Sequence, residues 1–215
     1  MIEDINYNTL QEEWSKELDF NDLYKEKPGD IIYTLDVIYR EEKAFVGCDI
    51  LSYPDNIIAT EQYVLEVKGR YTPGYFSFYE GPILLDAIAL AKEQFPKPQL
   101  VIVDGHGLAH PRKFGLACYV GLKLNLPTIG FAKKSLLPYS GFLDEKKGSL
   151  LPIKLVKEKV GTVLRTQTGV KPIFISVGNK IDLKTSIKIA KELTGNYRIP
   201  ENIRRADQMS RKVLS

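Results

Sequence analysis

Cysteine is scarce in this 215-residue chain, which has only 2. Cys48 and Cys118 each lie inside an apolar segment and show no CxxC spacing. Neither a disulfide framework nor a zinc site is expected, and both read as packed thiols in a reducing compartment. No apolar run approaches the ~20 residues that a membrane-spanning helix needs. The first residues, MIEDINYNTLQEEW, hold no apolar signal core, so a cytoplasmic protein is expected. Internal repeats are absent, as is the GxxxxGK[ST] run that cradles nucleotide phosphates. Charge is nearly balanced: 30 basic and 27 acidic residues leave a net +3, which permits a polyanionic partner without demanding one.

Apolar residues make up 44% of the chain, enough for one sizeable core, and a single domain over residues 1–215 is expected. In chain order, Leu10, Trp14, Leu18 and Leu23 suggest an amphipathic helix over 8–26. IIYTLDVIYR reads as a short strand or linker with no assignable chemistry. AFVGCDIL is an apolar run that includes Asp49, and IIATEQYVLEV has the composition of a returning antiparallel strand. Residues 69–82 form a loop dense in aromatics, glycine and proline, which suits a stiff surface tip. Glu80 precedes an apolar helix with Pro82 in its first turn, where a carboxylate is favoured by the helix dipole alone.

LVIVDGHG then reads as a buried strand ending on Asp104, at the edge where open α/β sheets bind ligands. A helix is expected after Pro111, with Gly115 and Gly121 marking close approach of another element. LPTIGFAKKSL is a short strand ending on Lys133 and Lys134. Residues 138–160 look like a surface excursion. VGTVLRT and KPIFISVGN supply two more strands, and 182–193 a helix capped by Asp182. The closing RRADQMSRK reads as a solvated basic tail.

Asp49, Glu80 and Asp104 form the candidate constellation. Like charges are gathered around a cation, and carboxylate oxygens suit Mg²⁺, with Mn²⁺ as a substitute. Two such ions about 3.5–4 Å apart activate a water and stabilise the leaving oxygen of a phosphodiester. The order of strand with Asp, paired strand, helix with Glu and strand with Asp is that of an α/β, ribonuclease H-like mixed sheet flanked by helices.

VGCDILSY, RYTPGYFSFYEGPILLDA, VDGHGLAHPRKFGLACYVGLKLNLPTIGFAKKSL and SVGNKIDL resemble the successive motifs of endonuclease V, the nuclease that acts at deoxyinosine. The resemblance covers most of residues 44–211. It implies a metal-dependent, monomeric repair enzyme that recognises hypoxanthine in DNA, and inosine in RNA for some members, and cuts the second phosphodiester 3′ to it. Asp49, Glu80 and Asp104 would be the catalytic and metal-binding acids. Lys133 would stand near the scissile phosphate. Arg70, Tyr71, Thr72 and Pro73 would form the strand-separating wedge. Gly74, Phe76, Gly105, Gly107, Leu116 and Leu136 would line the base pocket, and a side chain added at Gly107 is expected to impair inosine discrimination while sparing metal binding. His106 stands beside the acid. His110 is expected to be structural.

Arg70 and Thr72 depart from the family's usual wedge residues, and Asn179 stands where the resemblance implies histidine. The stretch from Asp49 to Glu80 is also shorter than in the family by about one strand. Other nucleases of this fold, such as a ribonuclease H or a junction resolvase, would share the acids but lack the wedge and pocket motifs. A non-catalytic nucleic-acid-binding relative is the third reading. The NKxD of GNKID imitates a GTPase motif, but without a phosphate-cradling loop it is a decoy.

Overall fold

A computed structural model describes residues 6–67 and 72–212. Eight strands form one sheet in the order β3-β2-β1-β4-β5-β8-β7-β6. β1 (Ile31–Arg40), β2 (Lys43–Ser52) and β3 (Asn56–Glu66) make an antiparallel meander, because short turns can join only antiparallel neighbours. β4 (Leu100–Asp104) lies parallel to β1, and β5 (Thr128–Ala132) parallel to β4. Each of these parallel crossovers contains a helix, α2 (Phe76–Gln94) and α3 (Leu116–Leu124) respectively. β6 (Leu150–Leu155), β7 (Glu158–Leu164) and β8 (Ile173–Asn179) complete the sheet antiparallel.

Strand alternation divides the core in two. Tyr33, Leu35, Val101 and Val103 face α2 and α3, where they pack with Leu84, Ile88 and Val120. Ile32, Leu100 and Ile102 face the other layer, with Ile189 of α4 (Leu183–Glu192) and Ile203 of α5 (Glu201–Ser210). Asp182 caps α4 by accepting the Thr185 N–H at 2.6 Å, as its position suggests. Gly121 faces β5 and β8 so closely that a Cβ would collide with Thr128 and Asn179, which accounts for a glycine in a helix.

Four expectations about elements change. The first helix, α1 (Tyr7–Lys16), ends well before residue 26, because Asp19 leaves the helical path. Its N–H donates to Asn179 Oδ1, its carbonyl accepts from Lys180, and its side chain turns onto Asn21. α2 begins at Phe76, so Pro82 lies inside it and Glu80 is beyond the first turn. The N-terminal dipole therefore gives no sufficient reason for that carboxylate. Residues 138–160 contain β6 and the start of β7, an edge hairpin of the sheet. The basic end is no tail: α5 packs across β1 and β2, with Asn202, Ile203, Ala206 and Ser210 buried.

Candidate active site

β1 and β4 are parallel, so their carboxyl ends lie at the same edge of the sheet. Their pairing runs up to Leu35 opposite Val103. One register step further, Asp36 falls beside Asp104 on the face covered by α5, with Cα atoms about 4.8 Å apart. The Asp36 carboxylate feels the Asp104 charge. Burial, and then the Asp104 charge, push the Asp36 carboxyl up to about 7, while Lys133 pulls the other way. Glu80, buried in α2, is held well above the usual carboxylate range by burial. The Tyr39 hydroxyl, donating to Glu80 Oε2 at 3.1 Å, opposes that shift, while Asp36 and Asp104 reinforce it.

The positive charge comes from the end of β5. Lys133 Nζ lies 2.6 Å from Asp104 Oδ2 and 3.4 Å from Asp207 Oδ1. Burial would lower the ammonium's pKa, but Asp104, Asp36 and Asp207 together raise it. Asp207, on α5, is held below the ordinary range by hydrogen bonds from Arg211. It also adds to the repulsion on Asp36. Asp36, Glu80, Asp104, Asp207 and Lys133 therefore make one electrostatic unit, drawn from β1, α2, β4, α5 and the end of β5. Among the described residues, no three His, Cys, Asp or Glu side chains close on a common metal position in this arrangement.

Asp49 is not in that unit. It pairs with Thr34 across the antiparallel β1–β2 ladder, while Gly47 is the residue opposite Asp36. That register puts Asp49 one strand out from Asp36 and two residues back, which leaves it two strands away and roughly 12 Å from Asp104 between Cα atoms. Its side chain is fully buried and accepts a two-pronged bond from Arg205, Nε to Oδ1 at 2.5 Å and Nη2 to Oδ2 at 2.8 Å. Thr60 Oγ1 donates to the same carboxylate at 3.0 Å. Burial raises its pKa, and Arg205 and Thr60 work against that rise. Both oxygens are used in holding α5 to the sheet.

Asn179 is likewise structural in its contacts. It is 2% exposed, donates to the Gly121 and Leu126 carbonyls, and accepts from the Asp19 N–H. His106 is half-buried, and burial lowers its pKa. His110 is buried, with its pKa lowered by burial to about 4, and its Nδ1 accepts from the Arg112 N–H at 3.3 Å.

Of the pocket candidates, Gly105 faces Leu116 at the sheet edge. Gly107 is buried, its N–H donating to Ser176 Oγ at 2.8 Å. Gly74 is exposed, and its carbonyl accepts from Arg112 Nη2 at 2.6 Å. Phe76 and Leu136 are exposed. Of the wedge candidates, Arg70 and Tyr71 lie outside the described residues, and Thr72 and Pro73 are exposed.

A Cβ at Gly107 would run into the Val177 carbonyl of β8, which is backbone and cannot swing aside. Gly107→Ala is therefore expected to lower stability by about 1–3 kcal/mol, the usual cost of overpacking. A urea titration with an unchanged midpoint would show that the loop yields freely. Any change in inosine discrimination in that variant would have to be measured on the folded fraction.

The sequence reading missed Asp36, Asp207 and Arg205. For Asp36 a signal existed. The spacing from Asp49 to Glu80 was one strand too short, and counting from Asp36 restores that strand, β2. For α5 the signal was Ile203, Ala206 and Ser210 on one helical face.

A ribonuclease H-like mixed sheet with acids meeting at the carboxyl ends of two parallel strands, and a lysine beside them, is an arrangement suited to a nuclease. Comparison with known proteins agrees. The family model described as Endonuclease V matches residues 12–208. An endonuclease V from Dictyoglomus turgidum is 39% identical over 207 residues, 96% of this chain and 89% of that protein. The crystal structure of an endonuclease V from Streptomyces avermitilis superposes with a TM-score of 0.85 at 34% identity, covering 97% of this chain and 91% of that one. A Ciona intestinalis endonuclease V, solved with a 24mer DNA containing an inosine followed by a ribo-adenosine, gives a TM-score of 0.80 at 27% identity, covering 95% of each chain. This chain belongs to the endonuclease V family.

Proposed function

We propose that the protein is a metal-dependent endonuclease that recognises deoxyinosine in DNA, and inosine in RNA, and hydrolyses the second phosphodiester bond 3′ to it, opening repair of the lesion. The observation that carries the reading is the parallel register that sets Asp36 beside Asp104 at one sheet edge, with both charges acting on buried Glu80. The Asp36 and Asp104 charges raise the cost of ionising Glu80, and the Asp104 charge that of Asp36, so these carboxylates have a reason to be together when a cation neutralises them. The donor set is all oxygen, which fits a hard ion such as Mg²⁺, or Mn²⁺ in its place. Asp36, Glu80 and Asp104 would hold it, with Asp207 beside them, and Asp49 is replaced by Asp36 in that role. Bound there, the ion supplies Lewis-acid stabilisation of phosphoryl oxygens and a water of lowered pKa.

The chain's own groups do the rest. Tyr39 fixes the orientation of Glu80 through its hydroxyl. Lys133 is within reach of Asp104 and is placed to exchange that carboxylate for a phosphate oxygen, offsetting charge that develops at the cut. Gly105 and Leu116, next to Asp104, belong to the pocket for the flipped base, with Gly74, Phe76, Gly107 and Leu136 contributing to its rim and support. Residues 70–73 hold the strands apart.

Incubation with end-labelled inosine DNA, inosine RNA and unmodified controls, in Mg²⁺, Mn²⁺ or EDTA, tests the reading. Nicking of the inosine strands in either metal and none in EDTA is expected. Equal cutting of the unmodified controls would remove lesion specificity, and full activity in EDTA would remove the metal.

A further inference from the structure

Beside Lys133 opens a groove of about 620 Å³, with Lys134, Leu136, Tyr139, Lys171 and Phe174 among its walls. Its charge is one-sided. Lys133, Lys134, Lys171 and Arg198 line it, and among the described residues no aspartate or glutamate does. Arg198 has a fixed task. Its Nε donates to the Lys171 carbonyl at 2.9 Å, and its Nη2 donates to the Lys133 and Pro172 carbonyls at 2.8 Å each. Those bonds clamp the loop after β5 to the segment before β8, so the groove has built walls and not two independent loops.

Lys134 and Lys171 are exposed, with their ammonium groups available to a ligand. The floor carries an aromatic platform: Tyr139, 43% exposed, leans on the buried Phe174 ring with centroids 5.6 Å apart. Leu136, 55% exposed, extends the apolar surface beside it.

A cationic track with an exposed, well-supported ring is what a single nucleic-acid strand needs: phosphates on one side and a stacking face for a base on the other. The groove is continuous with the cutting centre through Lys133, which touches both Asp104 and this cavity. We propose that it carries the single strand running on from the cleaved phosphate, with Tyr139 stacking on a base and Lys134 and Lys171 neutralising phosphates. The inference rests on reading the acid site as a strand-cutting centre. It adds a binding track outside the acids, the wedge and the proposed base contacts except Leu136, which would be shared.

The test is fluorescence anisotropy in EDTA, which prevents cutting, using labelled single strands with and without inosine over a salt series. Tyr139→Ala is expected to weaken binding of both strands about tenfold, and Tyr139→Phe to restore it, since stacking needs the ring alone. Lys171→Ala should weaken both strands and lower the slope of log affinity against log salt by about 0.7, one phosphate on a single strand. The preference for inosine should not change in either variant. Unchanged affinity and slope in both alanine variants would overturn the proposal. A loss confined to the inosine strand would also overturn it, because the groove would then be the lesion pocket. If the wild-type protein bound strands but cut none with metal added, while the variants still lost affinity, the track would stand and the nuclease reading would fall.

Discussion

Asp36→Asn is expected to slow strand cutting by about a thousandfold, roughly 4 kcal/mol of barrier, because it removes one of the charged oxygens that would hold the ion. The same change should leave the fold intact or firmer. Asp36 is pushed up to about 7 by burial and by the Asp104 and Asp207 charges, so the metal-free fold carries a strained carboxylate there. A neutral amide of the same shape relieves that repulsion. Single-turnover cutting of an inosine strand measures the first effect, and thermal unfolding in EDTA the second. A variant that cut at the wild-type rate would remove Asp36 from the site. One that unfolded many degrees lower would turn the rate loss into a folding defect.

The opposite pattern is expected at Asp49, where Asp49→Ala should lower stability by about 3–5 kcal/mol, the cost of leaving one partner of a buried ion pair uncompensated. Arg205 would remain against the sheet with its two-pronged acceptor gone, and α5 would lose a main tie to β2. Because α5 also carries Asp207, some loss of activity near the unfolding transition follows. Well below it, the folded protein should still cut. Replacing both partners, as in Asp49→Leu with Arg205→Met, should recover part of the stability, since an apolar pair of similar volume leaves no orphaned charge. Urea titrations of the three proteins check this. Wild-type stability together with abolished cutting in Asp49→Ala would return that residue to the catalytic set and displace Asp36.

These two aspartates also show how far the sequence could be read. Both IIYTLDVIYR and AFVGCDIL are apolar strands with an aspartate, and composition cannot rank them. The rank follows from direction. β1 runs parallel to β4, so an aspartate near its carboxyl end meets Asp104; β2 runs back, so Asp49 sits opposite Thr34, one strand out and two residues back from the edge. The motif-like look of VGCDILSY pointed to Asp49, whereas strand pairing sets Asp36 beside Asp104, and the missing strand between Asp49 and Glu80 was the sign of that difference. Asp207 and Arg205 were hidden for a related reason. A basic, charged segment looks like a solvated tail until a sheet face with Gly47 opens beneath it, where a Cβ would collide with the Ala206 carbonyl of α5.

By itself the sequence determined the ribonuclease H-like α/β fold, the family, and the residues whose role is local. Asp104 ends a buried strand, Lys133 follows another, and Asp182 caps a helix, each because neighbouring residues fix its position. Which distant carboxylate joins Asp104 was decided only by tertiary structure. Strand direction and register set that distance, and a one-strand, two-residue offset separates the carboxylate beside Asp104 from the anchor of a helix.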